Sequence, residues 1–543
     1  MKAKAALKKE LAKILTCSPS ERARSIIDSP YTKEILEQLS AQEAYMIVKD
    51  SWGTDSQIML PYIPPETICN FIDLDSWEKD ALSVETVMEW LWEIYLSSPD
   101  TLQEVLDVID LELIILVFQS YMEVIQVVPT DEDIPNLLNA GYESYDDVYF
   151  FRFTTEDEKI QLLKDMMSLL FTHYQNIYYG IMEGVLWELK SSMEENIFER
   201  RTFRLMEMGF PPPDEAMSVY RRVQPERLLR EGIRKEKVPH IDLSESLLPS
   251  LYMDHLSENP GLIVKALEQT DPGTRERFIY ETIYLSNKII MADYRKLNEI
   301  EELRKSIDKA TSLTSLGLAV VMKERKSSTS AVLEDINAET LFSLGYNMVS
   351  EQQKRLKTVL KDIDPSMIPD SMNEFVEGLL KKRPLYKDMD FSTIEQLQEV
   401  THNLDLIEAF ACILRHLAWE EQIDSLSRTN TGANLDLENV ILTCAAINFN
   451  EQKSSFRALS QDELLNFLSQ CTSINKKGLR MFRPDIRDDL RNFLHSFDES
   501  TDKGVVQESA DLLIRRLETE ISGIRELADL DTRFITCFVV TAP

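Results

Sequence analysis

The sequence predicts an all-α, multi-domain protein that begins with a superhelical array of short helical repeats and carries at most a small β element. Three observations predict it. Helix-start boxes of the form Ser/Thr-x-x-Glu recur at Ser18/Glu21, Ser40/Glu43, Thr155/Glu158, Ser392/Glu395 and Ser460/Glu463, each pair satisfying orphan backbone N–H groups. Apolar residues follow at steps of three and four, the longest run being Ile394, Leu397, Val400, Leu404, Ile407, Ala411 and Leu414, a core stripe on one helix face. Glycine is scarce, 15 in 543 residues against ~7% in ordinary proteins. Doubly wound sheets and phosphate-cradling loops therefore lack the residue their sharp turns need.

A chain of this length exceeds one hydrophobic core and predicts three or four domains at roughly 150 residues each. Prolines fall between the periodic runs, at Pro129, Pro135, Pro211 to Pro213, Pro239, Pro249, Pro365, Pro369 and Pro384, where they end helices without breaking them. The polar stretches Lys323 to Ser330 and Ser427 to Asn434 read as exposed loops. The resulting division is 1–130, a helical repeat domain; 131–240, a helical domain with a long helix over about 156–208; 241–330, a helical domain; and 331–543, a C-terminal helical domain. Strand signals are few, Asp147 to Phe153 (DVYFFRF) and Arg533 to Val540 (RFITCFVV).

Within the first domain a short pattern recurs: Pro65-Glu66-Thr67-Ile68 with Phe71-Ile72-Asp73, and Pro99-Asp100-Thr101-Leu102 with Val105-Leu106-Asp107. Poorer copies start at Ser20-Glu21-Arg22-Ala23 and Ala41-Gln42-Glu43-Ala44, and Ser51-Trp52 and Ser76-Trp77 close two copies alike. Each copy predicts a capped helix whose apolar face stacks on its neighbours. Over residues 18–128 the pattern resembles the helical repeats of the cytosolic N-terminal domain of MgtE-type magnesium transporters and of the flagellar motor switch protein FliG. In the transporters that domain senses magnesium, but the pore helices are missing here, so transport is not implied. Across its length the chain resembles a family of large acidic bacterial proteins of unknown function, on Arg204-Leu205, Gly209-Phe210-Pro211, Asp214-Glu215-Ala216 and Tyr220.

Charge and cysteine use narrow the function classes. With 59 basic and 93 acidic side chains the net charge is −34, which repels nucleic acid and anionic membrane. Cys17, Cys69, Cys412, Cys444, Cys471 and Cys537 are scattered with no CxxC pair, predicting buried thiols in a reducing compartment. No apolar core of signal-peptide length follows the lysine-rich start, and the apolar stretches Leu111 to Val128 and Leu313 to Met322 are interrupted or short. A cytoplasmic location without membrane insertion is the expectation.

Chemistry-bearing motifs are sparse. No P-loop, GxGxxG, GxSxG or HExxH occurs. Of the histidines, Glu399-x-x-His402 alone has the spacing of a carboxylate-bridged metal helix, with Glu408, His416 and Glu420 downstream, and it is half a site. Glu188, Glu195 and Glu199, followed by Arg200, Arg201 and Arg204, share a face of the expected long helix, with Tyr174, Tyr178 and Tyr179 upstream. Two arginine stripes, Arg227/Arg230/Arg234 and Arg480/Arg483/Arg487/Arg491 with Pro484 in the first turn, are interleaved with Glu226, Glu231, Asp485, Asp488 and Asp489, which predicts internal salt bridging. No catalytic, cofactor-binding or metal-ligating residue is assigned, and no cofactor is expected.

The expected function is a non-catalytic scaffold or regulatory protein that binds a protein partner through helical surfaces. The alternative is a helical enzyme or metal-dependent protein with its site among Glu188, Glu195, Glu199 and Arg204 or around Glu399 and His402. The transporter resemblance adds a third reading, a magnesium-responsive regulatory protein.

Overall fold

A computed structural model describes residues 19–127, 134–154, 159–223, 261–361, 363–416, 435–451, 456–496, 503–527 and 535–541, together with residues 7, 10, 14 and 530. Outside these residues lie Cys17, Ser18 of the first box, the Thr155/Glu158 box, the Arg227/Arg230/Arg234 stripe, Pro129, Pro239, Pro249, Glu420 and the Ser427 to Asn434 stretch. Among the described residues 24 α-helices accompany three two-stranded antiparallel sheets, so the protein is all-α with small β elements. The chain forms two compact units, one of Met1–Thr314 with Val321–Ser343 and one of Ser315–Val320 with Leu344–Pro543.

The first unit opens with the repeat. Its copies are the helices Pro19–Ile27, Ala41–Asp50, Pro65–Asp75 and Pro99–Leu106, and each packs on the next copy. Asp55–Met59, Val84–Ser97 and Leu111–Tyr121 pack in series as a second row. The repeated apolar positions form the seam, with Ala44, Val48, Ile68, Phe71, Leu102 and Val105 all buried. The two Ser-Trp closures work alike. Ser51 Oγ donates to the Ile47 carbonyl at 3.0 Å and Ser76 Oγ to the Ile72 carbonyl at 2.6 Å, ending each helix with a side-chain bond four residues back. Trp52 then meets Trp90 edge to face at 4.5 Å between ring centroids.

After Leu111–Tyr121 the period changes from helix to strand. Met122–Gln126 alternates buried and exposed residues and pairs with Tyr149–Phe153, which realises the strand expected at 147–153 and supplies a partner hidden inside the apolar stretch 111–128. Over 156–208 the structure differs from the single long helix expected. The described residues form Lys159–His173, Gln175–Trp187 and Lys190–Glu207, broken where Tyr174, Glu188 and Leu189 leave the helical region. One helix over 159–207 would be about 73 Å long, whereas both later segments fold back onto Leu111–Tyr121. Gly180 and Gly184 permit this, since a Cβ at Gly184 would lie 2.6 Å from Ile115 Cδ1.

The loop expected at 323–330 also differs. Lys323–Arg325 completes the helix Ile300–Arg325, placing basic charge at its negative end, and Lys326 caps it with φ +51°. The stretch between the helices shrinks to Lys326, Ser327 and Ser328, the last capping the helix Thr329–Asp335 with its hydroxyl accepting from the Ala331 amide.

The second unit is built on Leu437–Glu451, whose residues from Leu437 to Ile447 are all buried. Ile394–His416 packs on it with the predicted stripe inward, and Gln461–Cys471, Pro484–His495 and Lys503–Ile521 complete the bundle. The Ser460/Glu463 box forms in full. At Ser392/Glu395 the cap shifts by one residue, Thr393 and Gln396 exchanging the two bonds. The strand expected at 533–540 is reduced within the described residues to one bridge, Leu459 to Val540, because the helix bundle offers this extended segment no sheet to join.

Candidate functional site

The helix Pro65–Asp75 ends in two buried carboxylates, Asp73 and Asp75, with no basic residue in its last turn. A helix C-terminus is already negative, so both need cations or donors from elsewhere. Two residues apart on a helix they point to nearly opposite sides, and each meets a different set of partners.

Asp75 accepts from Lys49 Nζ at 2.7 Å, Trp90 Nε1 at 2.8 Å, Asn298 Nδ2 at 2.9 Å and Tyr45 Oη at 3.0 Å. Burial alone would raise its carboxyl, but the bonds from Lys49 and Asn298, the Lys49 charge and the Trp90 bond together hold it below the usual aspartate range. Burial raises the Tyr45 hydroxyl, and the neighbouring Asp75 charge raises it further, so Tyr45 remains a donor.

Asp73 faces the helix Lys190–Glu207. Arg204 grips it through Nε at 2.5 Å and Nη2 at 3.0 Å, and Nη2 also lies 2.8 Å from Asp110. Burial pushes the Asp73 carboxyl up, and the bidentate guanidinium offsets only part of this, so it stays above the usual aspartate range. Arg200 joins Asp110 at 3.1 Å to Glu112 at 2.6 Å. The carboxylates that pair these arginines come from the repeat array. Glu188, Glu195 and Glu199 are exposed, and Glu188 caps the preceding helix rather than sharing their face.

Arg201 is different. It is 6% exposed; its Nε donates to the Asp73 carbonyl at 2.9 Å and its guanidinium lies 5.2 Å from the Trp77 ring centroid. Among the described residues its two terminal amino groups have no hydrogen-bond or ion-pair partner. Burial pulls its pKa down to about 10, so the guanidinium stays charged at neutral pH.

Arg201 lines a cavity of about 570 Å³. Trp77, Phe198, Leu205, Phe210, Ile290 and Met291 form apolar wall, while Glu78, Lys79, Asp80 and Asp214 are exposed members of the lining. The remaining side is the loop 293–299, pinned at both ends. Asp293 is held by Tyr220 Oη at 2.5 Å, Lys309 Nζ at 3.2 Å and Arg295 Nε at 3.3 Å, and Asn298 by Asp75. Two non-glycine residues of the lining, Lys79 and Tyr294, adopt left-handed backbone at φ +60° and +51°, a conformation costing ~1–2 kcal/mol. The hairpin in which Trp77–Glu78 pairs with Ala81–Leu82, and the loop, are thus held in shape by packing around the cavity.

The other charged candidates are used up internally. Glu399 accepts from Tyr386 at 2.7 Å and Lys387 at 3.3 Å, His402 lies 3.2 Å from Glu508, and Glu408 pairs with Arg355. Among the described residues no group of three or more His, Cys, Asp and Glu side chains is placed to hold a metal ion. Arg480 sits on a strand before Pro484, bonded to the Ile524 and Arg525 carbonyls, while Arg487 pairs with Glu518 and Arg491 with Asp511. Tyr178 is buried in an aromatic cluster with Tyr145, Phe171 and Tyr179, and the Tyr174 hydroxyl accepts from Gln103.

Asp75 gives a signed pH dependence. A carboxyl held below its unfolded value of ~3.9 adds stability that is complete above that value and lost as pH falls through the folded one. Asp75→Asn should therefore cost on the order of 3 kcal/mol at pH 7, measured by urea unfolding, and the gap to wild type should narrow toward pH 3. An equal gap at both pH values would contradict the ionic role.

No curated protein and no solved structure matches the chain. Within the described residues no helix is long and apolar enough to cross a membrane. The segment that carries the family resemblance also builds the site. Arg204 grips Asp73, Leu205, Phe210 and Asp214 line the cavity, Gly209 turns at φ +87°, and Tyr220 holds Asp293. A family profile described as "Family of unknown function (DUF6178)" matches residues 1–541, and the chain belongs to that family.

Proposed function

We propose that this protein works by binding rather than by catalysis, as a regulatory protein whose first unit receives a small anionic ligand. The observation that carries the reading is Arg201, a buried cation with two donor groups open to a preformed cavity. Asp73 offsets part of the Arg201 charge, but its carboxylate is gripped by Arg204, and Arg201 touches only its carbonyl, through Nε; two buried donors left without a partner of their own are costly. An oxyanion would fill both terminal amino groups in the forked geometry that guanidinium offers. Ligand at a hundredfold excess over Kd would then stabilise the unit by about 2.7 kcal/mol.

The scaffold reading rests on a separate observation. Trp187 and Leu189 are each 71% exposed and Phe203 67%, large apolar side chains on two successive helices and the link between them that favour a protein partner. A partner that co-purifies in stoichiometric amount from native cells and is lost with Trp187→Ser would support it, and unchanged recovery would remove it.

The ligand reading makes a prediction that a structural role for Arg201 does not. Arg201→Met should cost less than ~2 kcal/mol by urea unfolding, because the lost bond to the Asp73 carbonyl and the lost Trp77 contact are offset by removing a buried, only partly balanced charge in favour of an apolar side chain of similar reach. A loss of more than ~2 kcal/mol would mean that Arg201 serves the fold.

A further inference from the structure

We propose that the ligand of this cavity is an organic monocarboxylate with an apolar body of aromatic size, not a phosphate ester or nucleotide. The inference rests on the anion-binding reading and adds to it a charge, a head-group shape and a body.

The charge follows from the cations around the cavity. Arg295 is spent on Asp293 and Glu302, at 3.3 and 2.8 Å, and Lys296 on Glu299 at 3.0 Å. Arg201 is the one buried guanidinium of the lining whose terminal groups are unpaired among the described residues. The exposed lining adds Lys79 but also Glu78, Asp80 and Asp214. One negative charge is matched by Arg201. A second would meet the three acids with Lys79 alone to offset them, and like charges at short range in a partly desolvated site repel strongly.

Head-group shape follows from how Arg201 is held. Its Nε is occupied by the Asp73 carbonyl and one guanidinium face lies toward Trp77. Only the end of the fork is left, and two parallel N–H groups there suit the two oxygens of a carboxylate. Trp77, Phe198, Leu205, Phe210, Ile290 and Met291 then surround whatever is attached to it. A volume of about 570 Å³ falls in the range of small-molecule sites, and an apolar body is what this wall would desolvate favourably.

The test titrates the full chain by calorimetry with 3-phenylpropionate, acetate, 3-phenylpropanamide, phenyl phosphate and inorganic phosphate. Phenylpropionate is expected to bind saturably and at least tenfold tighter than any of the other four, and at least tenfold weaker to Arg201→Met. A second variant, Glu78→Gln with Asp80→Asn and Asp214→Asn, changes only exposed side chains. It should tighten phenyl phosphate at least tenfold while phenylpropionate changes less. Phenyl phosphate binding tighter than phenylpropionate to wild type, with loss in Arg201→Met, would overturn the ligand class and leave the anion site standing. Equal binding of the acid and the amide, or no binding by any anion, would overturn both.

Discussion

The first unit depends on two carboxylates at the end of one helix. Asp73 and Asp75 sit where a helix is already negative, and neither has a basic neighbour within its own last turn. Leaving either unpaired would cost several kcal/mol. The sequence separation of two residues sends them to opposite sides, so the same short segment attaches to two bodies of structure. Through Asp75 it joins the helices Ala41–Asp50 and Val84–Ser97 and the loop bearing Asn298. Through Asp73 it joins Lys190–Glu207.

The cavity is a consequence of this arrangement. Trp77 follows Asp75 after a single residue, Arg201 hangs on the Asp73 carbonyl, and the 293–299 loop is tethered by Asn298. Three of its walls are therefore set by one helix end. A ligand on Arg201 would be one bond from Asp73 and so from Arg204 and the array. That short path is a physical route by which occupancy could tighten the contact between the array and Lys190–Glu207.

Much of the fold was legible because its signals are local. The repeat positions are also the seam of the stacked copies, since an apolar face three or four residues apart has to be buried against something. Capping at Ser460 and Ser40 was legible for the same reason, the partner lying three residues away. Other features depend on distant contacts. The breaks at Tyr174 and Glu188 carry no proline or glycine, and the turn is imposed by packing on Leu111–Tyr121. Glu188, Glu195 and Glu199 matched a helical face, but repeat residues far earlier in the chain supplied the real counter-charges. Arg201 and Arg204 stand three apart and look equivalent in sequence. Only the fold distinguishes them, because one meets a carboxylate and the other meets that residue's carbonyl. The acid that closes the repeat pattern, Asp73 and again Asp107, was a usable signal for the first of the two carboxylates: an acid at the end of an apolar helix, recurring without a basic neighbour, asks for a partner.

Hydrogen–deuterium exchange of Asp73→Asn and Asp75→Asn, compared helix by helix with wild type, tests the two-sided role most directly. The account predicts contrasting patterns: lost protection in Lys190–Glu207 for Asp73→Asn, and in Ala41–Asp50, Val84–Ser97 and the 293–299 loop for Asp75→Asn. The same pattern for both variants, or losses confined to Pro65–Asp75, would contradict it.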